Sequence, residues 1–253
     1  MLAFITGSGL YQHQNLQTEL VDTPYGSATL QRGTIKGKEV LMLSRHGEGH
    51  HNLPHHINHR ANIQALKNAG ATAIISCSVC GILNPEWSLG KPLLCTDIYF
   101  PENRLGDGST CSLFQTPGEA GRGHLLAGSL LHSALTQAIG KIAGDAHQGC
   151  YGNVLGPRFN TITEIKALQQ IGVDFISQTC GPEAVLANEA ELPYSLAAFG
   201  IDYANGVVAS PTPLELLQAN LEQSQNWFLK LIEELTETDE TWSYENFIYR
   251  FDG

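Results

Sequence analysis

Short apolar runs bounded by turn-forming residues recur along the chain, with stretches of helical spacing between them. Leu2 to Thr6 is almost wholly apolar and stops at Gly7-Ser8-Gly9, the pattern of a buried strand ending in a tight turn. Lys38 to Ser44 (KEVLMLS) repeats the pattern and ends at Arg45-His46-Gly47. Ile57 to Ala69 places apolar residues at Ile57, Ala61, Leu66 and Ala69, with Gly70 as a helix stop. Thr72 to Ser78 predicts the next strand, ending near Gly81. Further strands are predicted over 93–99, 149–155, 173–178 and 195–199. Helices are predicted over 125–142, although Gly128 weakens it, over 161–172 with Glu164 in its first turn, over 183–191, and over 213–235 with Pro near its start. The alternation predicts an α/β fold with a largely parallel sheet. No linker or internal repeat interrupts it, so one domain over 1–253 is expected. The tail after Thr236 is acidic and aromatic and is expected to pack on the body or on a partner subunit.

Composition narrows the partners. The 253 residues are enough to bury a sizeable core without covalent staples. Fourteen Lys and Arg against 25 Asp and Glu give a net charge of −11. Nonspecific binding to nucleic acid or an anionic membrane needs the opposite balance, so neither partner is expected. An anionic ligand would have to find its positive charge locally. The chain has no run of about 18 apolar residues, and no basic segment precedes its first apolar stretch. A cytoplasmic location is therefore expected. The six cysteines, at 77, 80, 95, 111, 150 and 180, read as reduced thiols filling apolar segments.

Ligands of such sheets bind beyond the carboxyl ends of the strands. Three predicted strands end in polar groups: Gly7-Ser8-Gly9, Arg45-His46-Gly47, and Ser78 before Gly81. Each alone reads as an ordinary turn or surface pair. Together they supply two hydroxyls, backbone N–H groups, a guanidinium and an imidazole, a set suited to a phosphate dianion.

The same residues carry a family resemblance. The chain resembles the trimeric purine nucleoside phosphorylases, especially the methylthioadenosine and methylthioinosine phosphorylase branch. The resemblance rests on FITGSGL (4–10), VDTPYGSA (21–28), LSRHGEGH (43–50), INHRANIQALKNAGAT (57–72), CSVCGIL (77–83), NVLGPRFNTITEI (153–165) and SQTCGPEAVLANEAELPYS (177–195). It spans about residues 1–220 and fades over 100–147 and in the tail. It implies reversible phosphorolysis of an N-glycosidic bond, giving a free purine and a ribose 1-phosphate. Phosphate is then a co-substrate, no metal or organic cofactor is needed, and a homotrimer is expected. By resemblance Ser8, Arg45, His46, Ser78 and Thr179 bind phosphate, with the backbone of Val79. Ser8 and Ser78 stand where Thr is common. Phe159 packs on the purine, Gln178 takes a position beneath the ribose that is usually Met, and Asp202 faces the purine N7 edge. Asp202 and His46 are the expected catalytic residues.

Base choice turns on Asn160 and Asp202. Relatives acting on 6-oxopurines typically carry Glu and Asn there, the reverse pair. An Asn160 amide donating to N1 and an Asp202 carboxylate accepting from N6 favour adenine, and a mismatch would leave buried polar groups unpaired at roughly 1–3 kcal/mol each. Against this, Ala204 replaces a second Asp of the methylthioadenosine enzymes, and Ala204-Asn205-Gly206 is closer to the methylthioinosine branch. At the 5′ side, Thr212-Pro213-Leu214 stands where enzymes for ordinary nucleosides place His. Pro213 thus implies an apolar wall for a 5′-methylthio group, and His124 of a neighbouring subunit is expected to complete the pocket.

Two other classes compete. His46, His50, His51, His55, His56 and His59, with the CxxC at Cys77 and Cys80, suggest a metal protein. A structural zinc site wants paired clusters, and here the single CxxC lies at a strand end where alternate residues face opposite ways. Loop packing for the histidines and apolar filling for the cysteines are the simpler reading. A non-catalytic nucleoside binder would not need Arg45, His46, Thr179 and Asp202 together. Glu183, at a predicted helix start, reads as a helix-stabilising carboxylate.

Overall fold

The computed structural model describes residues 1–8 and 16–251. Gly9 of the predicted Gly7-Ser8-Gly9 turn, and Leu10, lie outside the described residues. The strands are β1 (Leu2–Thr6), β2 (Leu16–Thr23), β3 (Gly26–Ile35), β4 (Lys38–Ser44), β5 (Ala73–Ile82), β6 (Lys91–Tyr99), β7 (Gly123–Leu126), β8 (His147–Asn153), β9 (Phe175–Ser177), β10 (Tyr194–Tyr203) and β11 (Phe247–Arg250). The α-helices are α1 (His59–Asn68), α2 (Ser133–Ala143), α3 (Ile162–Gln170), α4 (Cys180–Glu189) and α5 (Leu214–Glu237).

β1 pairs in parallel with β4 on one side and β5 on the other, and β5 pairs in parallel with β10. These strands are covered on both faces, which is why they read as near-continuous apolar runs. Beyond β4 the sheet turns antiparallel through β3 and β2. On the other side β10, β6, β8 and β9 follow in order, and Gly81 and Ile82 of β5 pair back to β9. Strands β5, β10, β6, β8 and β9 thus close into a ring. The sheet is mixed: parallel at its centre, antiparallel at its margins.

Side-chain alternation assigns the two faces. Ala3, Ile5, Leu41, Leu43 and Ile74 pack with Ala61, Ile63 and Leu66 of α1 and with Ala184 and Ala187 of α4. Phe4, Val40, Met42, Ile75 and Cys77 pack with Leu135 and Ile139 of α2 and with Phe228, Leu231 and Leu235 of α5. Cys77 and Cys80 fall in opposite cores, as their spacing along a strand requires. All six cysteines are free thiols.

Three expectations are corrected. β2 and β3 form a hairpin that the apolar pattern does not reveal, because β2 is half exposed and rich in Thr, Glu and Asp. The helix expected over 125–142 begins only at Ser133, where the His132 side chain caps it by accepting from the Leu135 N–H. Residues 123–126 form β7 instead, paired with β11. The last helix extends past Leu235 to Glu237. The tail packs on the body: Trp242 is buried in the second core, and Asn246 donates to the Ser129 carbonyl and to Asn188 Oδ1. Among the described residues no helix is long and apolar enough to cross a membrane.

Candidate active site

A cavity of about 470 Å³ opens where β1, β4, β5, β9 and β10 end. Gly7 and Ser8 follow β1, Arg45 and His46 follow β4, and Ser78 to Gly81 come from β5. Ser177 to Thr179 bridge β9 and α4, and Ile201 to Asn205 leave β10. Val154, Pro157, Phe159 and Asn160 of the connection before α3 form one wall. Eleven of the thirteen candidate residues line this one space: Ser8, Arg45, His46, Ser78, Val79, Phe159, Asn160, Gln178, Thr179, Asp202 and Ala204.

The other two do not. Pro213 is exposed at the N-cap of α5 and lies outside the cavity; the apolar contact comes from Leu217, one turn further along the helix. His124 sits exposed on β7, opposite Tyr249 and edge-on to Phe251, and does not line its own chain's cavity. His50, Leu53 and Pro54 also line the cavity, and only the density of histidines over 46–59 hinted at them.

Arg45 is held entirely inside the protein, with an exposure of 2%. Its Nε and Nη2 donate to the two oxygens of Glu183, at 2.6 and 3.0 Å. Nη1 donates to the Cys77 carbonyl at 2.8 Å, and Nη2 also to that of Ile5 at 3.3 Å. Burial disfavours the charged guanidinium, but the Glu183 carboxylate outweighs it and holds Arg45 firmly protonated. A Cβ on Gly7 would sit 2.6 Å from Arg45 Nη1, so the turn after β1 closes directly over the guanidinium.

His46 is neutral at ordinary pH. Burial first, and the Arg45 charge after it, lower its pKa to about 4. A carbonyl only accepts, so the 2.8 Å contact with the Asn52 oxygen fixes the proton on Nδ1. The ring stacks on His50 at 4.0 Å, and Nε2 keeps its lone pair.

The hydroxyls form a connected set. Ser78 Oγ donates to Ser177 Oγ at 3.1 Å, and Ser177 lies 2.8 Å from the Tyr151 hydroxyl. Thr179 caps α4 from outside without a side-chain bond to the helix backbone, so its hydroxyl is not consumed there.

Asp202 owes its placement to an irregularity. Between Gly200 and Asp202 the β10–β5 register slips by one residue, which sets Asp202 beside Gly81. Gly81 has no side chain, and a Cβ there would meet Asp202 Oδ1 at 3.5 Å. The carboxylate has no hydrogen-bond or ion-pair partner among the described residues, and burial alone raises its pKa to about 6.

The loop that leads into α3 is fixed by polar ties. Gln178 Nε2 donates to the Arg158 carbonyl at 3.2 Å, and Asn205 Nδ2 donates to the Asn160 carbonyl at 2.8 Å. Arg158 pairs with both oxygens of Glu164, which also completes a capping box with Thr161. Phe159 stands 79% exposed at the cavity mouth.

Among the described residues no group of three or more His, Cys, Asp or Glu is gathered closely enough to hold a metal ion.

Hydroxyl, guanidinium and imidazole groups at the strand ends of a parallel-centred sheet, with a buried carboxylate across the same cavity, give this α/β fold a site with the donors an anion needs. The chain belongs to the phosphorylase superfamily, whose profile matches residues 2–237. It is 34% identical over 232 residues to a probable 6-oxopurine nucleoside phosphorylase of Moorella thermoacetica, covering 88% of this chain and 87% of that one. It is likewise 34% identical to a probable S-methyl-5′-thioinosine phosphorylase of Xanthomonas campestris, covering 92% and 96%. Among solved structures, a methylthioadenosine phosphorylase from an Antarctic soil metagenomic library superposes with a TM-score of 0.82 at 25% identity, over 95% of this chain and 88% of that one.

Proposed function

We propose that the chain is a purine nucleoside phosphorylase, cleaving the N-glycosidic bond of a purine nucleoside with inorganic phosphate. The observation that carries this reading is the pairing, across one cavity, of an anion-binding hydroxyl and guanidinium set with an unpaired Asp202 whose pKa is lifted to about 6. The C1′–N9 bond breaks through an oxocarbenium-like state, as in glycoside hydrolysis. A phosphate oxygen attacks C1′ as the bond to N9 lengthens, and the base leaves with the bonding electrons. Protonated Asp202 donates its proton to N7, so the base departs neutral. Hydroxyls of Ser8, Ser78 and Thr179, the Val79 backbone and one Arg45 N–H hold the phosphate oxygens. Neutral His46 accepts, through Nε2, the one O–H of the phosphate dianion. The reaction so written needs neither metal nor organic cofactor.

For the substrate we favour a 5′-methylthio nucleoside, because Leu53, Pro54 and Leu217 line the cavity with apolar surface. Adenine is the base that Asn160 and Asp202 suit, the protonated carboxyl donating to N7 through one oxygen and accepting from the N6 amino group through the other. A 6-oxopurine is the second reading, favoured by the raised pKa of Asp202, since a protonated carboxyl donates to O6. A homotrimer in which His124 reaches a neighbour's cavity, and a cytoplasmic location, belong to the same proposal. The test is base release from methylthioadenosine, methylthioinosine, adenosine and inosine, with and without phosphate. Strongest release from methylthioadenosine, only with phosphate, is expected. Faster hypoxanthine release overturns the base choice, faster release from the hydroxyl nucleosides overturns the 5′ choice, and no release overturns the activity.

A further inference from the structure

The Glu183 carboxylate lies at the first turn of α4, where a structural role is the default reading. Its surroundings give it a sharper one. It is 1% exposed and accepts three short hydrogen bonds: from Arg45 Nε at 2.6 Å, from Arg45 Nη2 at 3.0 Å and from Ser76 Oγ at 2.6 Å. His59 Nδ1, buried and unpartnered, stands 4.0 Å away, too far to share a bond. A guanidinium carries five N–H groups in one plane. Glu183 takes one on Nε and one on Nη2, Ile5 the second on Nη2, and Cys77 one on Nη1. Among the described residues one N–H remains without an acceptor, on the nitrogen that lies against Gly7 at the cavity.

We propose that Glu183, steadied by Ser76, is a positioning residue for the co-substrate: it locks the Arg45 plane so that its single uncommitted N–H is aimed at a phosphate oxygen. This rests on the phosphorylase reading above. The pair also has no net charge. Arg45 therefore contributes direction rather than surplus charge, and the hydroxyls and backbone N–H groups supply the remaining recognition. Buried bidentate pairs suit such fixing better than they suit stability, because their desolvation cost offsets their attraction.

Positioning and simple charge predict opposite signs. If Glu183 were only a nearby negative charge, Glu183→Gln would tighten phosphate binding. If it aims Arg45, the same change frees the guanidinium to rotate, and the phosphate KM rises by roughly tenfold with the nucleoside KM nearly unchanged. Ser76→Ala removes one bond to the carboxylate and leaves the ion pair in place. It is expected to raise the phosphate KM by roughly threefold. Calorimetric titration of inorganic phosphate into the intact wild type and both variants reads the same effect without turnover. Weaker phosphate binding in both variants supports the proposal. Equal or tighter binding in a folded variant overturns it, and Ser76→Ala decides alone where Glu183→Gln does not fold. A wild type that binds phosphate but releases no base sinks the phosphorylase reading instead.

Discussion

An unpaired carboxylate is costly to keep ionised inside a cavity, and Asp202 is such a group. Its pKa in the fold is about 6 against 3.8 outside it, so the cost is absent below about pH 4 and complete above about pH 6. Asp202→Asn is therefore expected to stabilise the protein at neutral pH by roughly 1–3 kcal/mol and to make no difference near pH 3. Thermal melts of both proteins across this range check it; a variant less stable at pH 8 would show that the carboxylate has a partner. In the proposed reaction the same change also removes the proton for N7. A fall in kcat of about 10²-fold or more is expected, with altered preference between 6-amino and 6-oxo bases. These signs were only partly legible in the sequence. Arg45 and His46 are legible from a strand end and Asp202 only from the family resemblance, while the charge states follow from burial and, for Arg45, from Glu183, which lies 138 residues away. No local spacing announces such a contact.

At the scale of elements, the site is a set of strand ends joined by one tied-down loop. Residues 154–160 bring Phe159 and Asn160 to the cavity, and Gln178 holds them through the Arg158 carbonyl. A Cβ on Gly156 would collide with Gln178 Oε1 at 2.0 Å, so the side chain lies flat on the loop backbone. Gln178→Ala is expected to raise the nucleoside KM by roughly three- to tenfold and leave the phosphate KM unchanged, as steady-state kinetics in each substrate will show. A change confined to phosphate would move Gln178 to the other end of the site. Elements with continuous apolar runs were legible: β1, β4 and β5 fall where the pattern puts them. Elements that pack on one face only were not. β2 alternates between exposed and partly buried residues, and β7 borrows its stability from β11 across a long chain separation. Leu125 and Leu126 look helical in isolation because periodicity over so few residues does not separate helix from strand.

For the whole molecule, two buried imidazoles set the acid side of stability. His46 and His59 both have pKa values lowered to about 4, in each case chiefly by burial. A histidine depressed in this way stabilises the fold above about pH 6.5, and its contribution is lost as pH falls from there towards 4. Each is worth on the order of 2 kcal/mol over that window, opposed in part by Asp202, whose cost fades over the same range. Replacing His59 by Asn is expected to flatten the fall in urea midpoint between pH 6.5 and 4. An unchanged slope would mean that His59 stays charged in the fold. The acidic surface of the chain gives phosphate no long-range attraction, so everything that recognises it must be local.

The most direct test of that account follows phosphorus rather than the base. Enzyme, methylthio nucleoside and inorganic phosphate would be watched together by ³¹P NMR. A new sugar 1-phosphate resonance that grows in step with free purine is expected, and none when phosphate is omitted. Release of purine with no phosphorus signal beyond inorganic phosphate would show hydrolysis by water, and would contradict the phosphate site built on Arg45, His46 and the strand-end hydroxyls.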